Sequence, residues 1–321
     1  GTVSIGLPEG IFRGGEAAGF PLRPRYRHIR LQACVTAIAS RFHRERERTM
    51  VKLATMTSVC PDWTVDEIIS GMKRLGYKGL EPRTGWGHAA GIEPELSEAD
   101  RKGIRKRFED EGLSICCIAT GARFAAADPA DLEKSLDEAR IAIDLAADLG
   151  AGLIRTFGGA RGGGEFHGIM KRTADAYRKI VGHAADRGVT VLFETHDEWC
   201  VSTQVRAVVE DVDHPNLKVL WDLMHPARFK ERPAETMGTI GSLTRHLHAH
   251  DGRPEGPDSR MANTPLGDGI IDHATPVKLL NEIGFDGYFS IEVIHKPGSD
   301  HDAEGVLKQY ADAFNEMTKS F

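Results

Sequence analysis

The chain has 321 residues, which suits one large α/β domain or two small ones. Hydrophobic residues make up 40% and charged residues 27%, ordinary values for a soluble globular protein, and no apolar run approaches the ~18 residues that a membrane span needs. A formal net charge of -6 argues against a nucleic-acid partner, and the five cysteines (Cys34, Cys60, Cys116, Cys117 and Cys200), odd in number and without CxxC spacing, read as reduced thiols of a cytoplasmic protein rather than as disulfides or a zinc site.

In chain order, residues 1–49 come first, with nine Arg, no Lys and four Glu. They read as an N-terminal extension outside the domain: a start-site artefact, a processed targeting segment or a partner-binding arm, and in each case non-catalytic. Met50 opens the regular part of the chain, expected to be a single domain over 50–321. Strands are predicted over 51–56, 78–81, 113–119, 152–157, 189–194, 217–222, 244–249 and 287–293. Helices are predicted over 64–75, 97–111, 130–149, 167–187, 201–211, 233–241, 272–283 and 302–318. The helix at 130–149 is the clearest, because Leu132, Leu136, Ala139, Ile143 and Ala146 share one face and Gly150 follows as a stop. Gly76, Gly112, Gly188 and Gly284 each close a helix just before a strand. Eight β/α units of this kind predict an α/β fold, a TIM (β/α)8 barrel whose typical length is about 250 residues. A doubly wound open sheet is the structural rival.

Four late strands end alike. They read Thr190-Val191-Leu192-Phe193-Glu194, Lys218-Val219-Leu220-Trp221-Asp222, His246-Leu247-His248-Ala249-His250-Asp251 and Tyr288-Phe289-Ser290-Ile291-Glu292. Each apolar run delivers a metal-capable side chain at its C-terminal end, and in a barrel those ends converge on the mouth where the chemistry sits. Buried carboxylates are costly unless paired or metal-bound. Glu194, Asp222, His248 and Glu292 therefore form the candidate metal set. Three carboxylates and an imidazole suit Mn, Co or Mg better than a thiolate-rich zinc site, with Zn retained as a fourth option for the one divalent ion.

The motifs Phe193-Glu194-Thr195-His196, Trp221-Asp222 followed by His225-Pro226, His246-Leu247-His248, Gly267-Asp268-Gly269 and Ser290-Ile291-Glu292 resemble those of the xylose isomerase-like barrels. That group includes sugar phosphate isomerases and epimerases, tagatose 3-epimerase, hydroxypyruvate isomerase and inosose dehydratase. The resemblance spans residues 51–318. It implies that Glu194, Asp222, His248 and Glu292 bind the metal, that His225 touches the substrate, and that Glu194 and Glu292 are the catalytic acid/base pair of an isomerase or epimerase working through an enediolate. The expected partner is a small sugar or polyol-derived ketone, handled by a homo-oligomer, a dimer or tetramer. Where the epimerases carry Arg in an Asn-Arg pair, this chain has Asp251-Gly252-Arg253, which makes Arg253 a candidate substrate contact.

Further substrate contacts are expected from Glu81, Arg83 and His88 at and after the second strand, and from Arg155, whose guanidinium suits a carboxylate or phosphate. A surface ion pair is the alternative for Glu81 and Arg83. The glycine-rich stretch 158–164 lacks GK[ST] and reads as a mobile lid rather than a phosphate loop. His196, His250 and His295, near strand ends, are expected beside the ligands or at the surface. Two other activities use the same scaffold. A dehydratase of the inosose or dehydroshikimate type begins with the same proton abstraction and then expels a β-hydroxyl. An endonuclease IV-like DNA repair enzyme needs extra metal-binding histidines, which Gly267-Asp268-Gly269 and Thr120-Gly121 do not supply.

Overall fold

The computed structural model describes residues 51–256, 260–319 and 321, so the reading of residues 1–49 and that of Cys34 fall outside the described residues. In chain order the elements are β1 (Lys52–Met56), α1 (Val65–Leu75), β2 (Gly79–Glu81), α2 (Glu98–Asp110), β3 (Ser114–Ile115), β4 (Ile118–Arg123), α3 (Pro129–Leu149) and β5 (Leu153–Phe157). Then come α4 (Phe166–Arg178), α5 (Val181–Asp186), β6 (Thr190–Glu194), α6 (Ser202–Val212), β7 (Leu217–Asp222), α7 (Met224–Arg228), α8 (Pro233–Ile240) and β8 (Thr244–Ala249). The chain closes with β9 (Asp251–Pro254), β10 (Met261–Thr264), α9 (Ala274–Glu282), β11 (Tyr288–Ile291) and α10 (Ala303–Thr318).

Nine parallel strands form one nearly closed sheet in the order β3-β2-β1-β11-β8-β7-β6-β5-β4. The two strands at the ends of that order, β3 and β4, are consecutive in sequence and together occupy the place of the predicted third strand. Pro82 has no N–H to give to the ladder at this break. Its carbonyl accepts from Ala119 N at 2.8 Å, and a parallel bridge between Arg83 and Ala119 joins the end of β2 to β4. The barrel is thus the predicted eight-unit one with its third strand interrupted at Cys116 and Cys117.

Local signals account for the helices. Thr64 caps α1 through a capping box with Glu67, and Gly76 ends it at φ +83. Asp128 caps α3 by accepting from Ala130 N and Asp131 N, Pro129 occupies its first turn, and Leu136, Ala139, Ile143 and Ala146 are fully buried along one face. The predicted helix 167–187 is two helices. At Lys179 and Ile180 the backbone bonds tighten to Ala176 and Tyr177, three residues back, and the axis restarts at Val181. The antiparallel hairpin β9–β10 had no strand-like signature in the sequence.

Side chains alternate across each strand. On β6, β7, β8 and β11 the outward residues Val191, Phe193, Val219, Trp221, Leu247, Phe289 and Ile291 belong to the main core, between sheet and helices. The inward residues Leu192 and Leu220 pack with Ala54, Cys116 and Cys117 in a small apolar layer. Two residues further along, the same inward faces carry Glu194 and Asp222. The period of two therefore sets the polar layer directly above the apolar floor.

Candidate metal centre

Glu194 ends β6, Asp222 ends β7, His248 is the penultimate residue of β8, and Glu292 is the first residue past β11. The structure brings all four together: one ligand atom from each lies within 4.8 Å of the other three, and all four side chains are buried. His248 Nδ1 lies 2.9 Å from Glu194 Oε1 and 3.1 Å from Glu292 Oε2. Glu194 Oε2 and Glu292 Oε2 are buried without a hydrogen-bond partner. Converging carboxylates with orphaned oxygens around one imidazole nitrogen fit a divalent cation, and the oxygen-rich donor set fits the hard to borderline ions.

The orientation of His248 comes from Glu81. The Glu81 carboxylate is fully buried and accepts from His248 Nε2 at 3.0 Å, His246 Nε2 at 2.8 Å and Ser290 Oγ at 2.7 Å. With Nε2 donating to Glu81, Nδ1 is the nitrogen that faces Glu194 and Glu292, the one a metal ion would use. Glu81 was expected at the substrate or in a surface ion pair with Arg83. It lies instead behind the imidazole, as a positioning residue. The signal for this was His246, which shares the inward face of β8 with His248.

Asp222 is held from several sides. Its Oδ1 accepts from Met224 N at 2.8 Å and His225 N at 3.1 Å, and Oδ2 from His250 Nε2 at 2.9 Å. The short helix α7 thus begins on the Asp222 carboxylate. His250, the next inward residue after His248, steadies Asp222, one of the two places expected for it. Burial alone raises the Asp222 carboxyl and lowers the His250 imidazole. Their mutual attraction, with His225 added on Asp222, reverses both, leaving Asp222 below its ordinary value and His250 at about 9. Burial likewise opposes charge on Glu81, Glu292 and His248. Attraction within the cluster outweighs it, so both carboxyls lie well below and His248 well above their ordinary values in the ion-free protein. A cation held by these residues would compete with that proton for the His248 imidazole.

The expected substrate contacts fall in different places. His225 is buried, its Nε2 lacks a hydrogen bond, and burial drives its pKa down to about 3, so its ring is neutral. Its ring packs edge-on against His196, with centroids 4.3 Å apart. His88 is buried with Nδ1 2.8 Å from Thr57 Oγ1 and Nε2 unpartnered. Arg83 donates its backbone N–H to the same Thr57 hydroxyl at 2.9 Å and lays its guanidinium 3.9 Å over the Trp86 ring. Arg155 is fully buried beside Glu194. Arg253 is not brought to the cluster. It is exposed on β9, and its guanidinium donates to the Asp268 carbonyl. The neighbouring Asp251 explains Gly267-Asp268-Gly269: its carboxylate accepts from Gly267 N at 2.9 Å and Gly269 N at 3.0 Å, and a Cβ on Gly269 would lie 1.9 Å from Asp251 Oδ1. His295 bonds the Val59 carbonyl at 2.8 Å, away from the ligands.

The stretch 158–164, expected to be a mobile lid, is fastened at its start. Trp199 Nε1 donates to Gly159 O at 3.0 Å, Arg161 N donates to Glu198 at 3.1 Å, and a Cβ on Gly158 would lie 2.2 Å from the Trp199 ring. Closely packed backbone gives those first glycines a reason of their own.

A parallel α/β barrel with this carboxylate–imidazole cluster at the C-terminal ends of its strands defines a class of barrel enzymes. The chain belongs to the xylose isomerase-like TIM barrel family, whose sequence model matches residues 70–317. It is similar to the 3-dehydroshikimate dehydratase of Bacillus anthracis, 24% identical over 259 residues, 75% of this chain and 88% of the relative. It also resembles the inosose dehydratase of Clostridium botulinum, 26% identical over 151 residues, 42% of this chain and 50% of that protein. Among solved structures, an L-ribulose 3-epimerase superposes with a TM-score of 0.69 at 18% identity, covering 84% of this chain and 95% of the other, a likeness of fold. The named relatives are thus dehydratases, and the likeness of fold extends to an epimerase. Among the described residues no helix is long and apolar enough to cross a membrane.

Proposed function

We propose that this chain is a divalent-metal-dependent enzyme that removes a proton from the carbon beside a ketone in a polyhydroxylated small molecule and returns one to the same or the adjacent carbon, as an isomerase or epimerase does. The observation that carries this reading is the pair of carboxylates, from two different strands, that flank His248 Nδ1 and each keep a buried oxygen without a hydrogen-bond partner. Glu194, Asp222, His248 and Glu292 would hold the ion, which when bound supplies positive charge that favours the enolate-like form of the ketone. Glu194 and Glu292 take up and deliver the proton, one on each side of the substrate. Glu81 fixes the His248 imidazole, and His250 fixes the Asp222 carboxylate. His225, neutral and with a free Nε2, offers the substrate a hydrogen bond. Residues 1–49 take no part in the site.

The dehydratase reading has one specific observation in its favour: the two named curated relatives are both dehydratases. It keeps the same proton abstraction, after which the carbon–oxygen bond to the β-hydroxyl breaks and the group leaves as water. Incubation of the metal-loaded protein in deuterated water with L-ribulose, an inosose or 3-dehydroshikimate separates the two. An isomerase or epimerase washes deuterium into the carbon beside the ketone and leaves the substrate's composition intact. A dehydratase yields an unsaturated product with one water fewer. No exchange and no water loss with any of these ketones, under Mn, Co, Mg and Zn in turn, would overturn the proposal.

A further inference from the structure

Arg155, in the middle of β5, is fully buried, and none of its three guanidinium nitrogens has a hydrogen-bond partner. Its Nη1 lies 3.4 Å from Glu194 Oε2, an ion pair without a hydrogen bond, and its guanidinium sits 4.0 Å over the Phe157 ring. Stacking covers one face of the guanidinium and leaves the N–H edge unanswered. A fully buried guanidinium whose five N–H donors find no hydrogen-bond partner within the protein opposes folding unless a bound molecule answers them. A second guanidinium lies within electrostatic reach. Arg83 Nη1 is also buried and unpartnered, and Arg83 is close enough to Arg155 to feel its charge, as it feels those of Glu292 and Glu194. Two cations that repel each other beside unfilled donor edges form a receptor for an anion.

We infer that Arg155 and Arg83 bind a carboxylate of the substrate, so that the molecule processed at the metal centre is a polyhydroxylated keto acid rather than a neutral sugar. This rests on the proposed function, in that the substrate is the ketone whose proton Glu194 and Glu292 move. The position of Arg155 sets the kind of anion. Its Nη1 reaches to 3.4 Å from Oε2 of Glu194, a residue assigned to proton transfer, so the anionic group sits close to the reacting carbons. A carboxylate joined directly to the carbon skeleton fits there and matches the planar fork of arginine. A phosphate ester carries its charge one bridging oxygen further out. If Arg155 served only to steady Glu194, a hydrogen bond between them would be expected, and the other two nitrogens would still lack a role.

Isothermal titration of the Mn-loaded protein tests this with four probes: 3-dehydroshikimate, its methyl ester, scyllo-inosose and D-fructose 6-phosphate. The acid should bind roughly 10- to 100-fold more tightly than its ester, the range expected for charge-assisted hydrogen bonds. Arg155→Gln should bring that ratio close to one with the metal content unchanged, and Arg155→Lys should restore part of it. Equal affinity for acid and ester on the unaltered protein overturns the inference, as does a preference for the phosphorylated ketose over the acid. Persistence of the acid–ester ratio in Arg155→Gln overturns it too. Should that variant not fold, the comparison on the unaltered protein still decides. Tight binding and turnover of scyllo-inosose without preference for the acid would leave the proposed function standing and remove the carboxylate. Preference for the acid without deuterium exchange or water loss would do the reverse. Failure of every probe to bind overturns both.

Discussion

The outer surface of α2 and the mouth of the barrel both concentrate charge, and they handle it in opposite ways. On α2, Lys102 meets Glu98, Arg105 meets Glu109 and Lys106 meets Asp110, each pair four residues apart and mostly exposed. Water completes these groups, and each pair contributes little. At the mouth, Glu81, Glu194, Asp222, Arg155 and His248 are fully buried, so their charges must be completed by one another or by a ligand. Glu81 is complete: three donors fill its carboxylate. Glu194, Glu292 and Arg155 are not. The difference separates residues whose bonds are satisfied within the protein from residues with unfilled atoms, to which the proposed function assigns an ion or a substrate.

The sharpest way to break this division is to change an unfilled group and find no effect. Glu292→Gln keeps an oxygen ligand but removes the base, so turnover should fall by roughly 10²–10⁴-fold with most of the metal retained. Glu194→Gln should behave alike. Steady-state kinetics beside elemental analysis checks both, and full activity in the two variants would end the two-carboxylate mechanism. Next comes a satisfied group. Glu81→Gln weakens the hold on His248 and should lower metal affinity about 10–100-fold, measured by competition with a chelating dye. An unchanged affinity would show that Glu81 does not orient the imidazole.

A smaller effect belongs to His225. His225→Ala should raise KM by roughly 2- to 10-fold, the loss of one ordinary hydrogen bond, and leave the metal content alone. A collapse of kcat with KM unchanged would place His225 in the chemistry instead. The smallest effects lie outside the mouth. Lys106→Ala should move Tm by less than about 2 °C. A chain that begins at Met50 should keep its activity, and loss of activity with the fold intact would assign residues 1–49 a part in the site.

Much of this was legible because strand ends and helix caps are local signals. The four metal-capable residues could be read from the repeated pattern of an apolar run closing on Glu, Asp or His. Elsewhere the reading failed wherever meaning depended on a distant partner. Glu81 looked like a substrate contact because nothing near it in the chain shows that His246 and His248 will fill its carboxylate across the barrel. Arg253 drew attention through its neighbours in sequence, yet it points to the surface loop at Asp268. The first glycines of 158–164 suggested motion, and Trp199, some forty positions on, gives them a packing role.

The sequence alone determined the barrel, through its alternating strand and helix periods, and the identity of the cluster residues, because a period of two places every inward side chain of a strand. Only the tertiary structure decided which buried groups are already satisfied and which are left open. Hydrogen-bond satisfaction is a property of side chains brought together from different strands: Glu81 meets Ser290 across 209 positions of chain, and Arg155 meets Glu194 with too few acceptors for its donors. Local patterns carry no record of such meetings, since closing the barrel is what creates them.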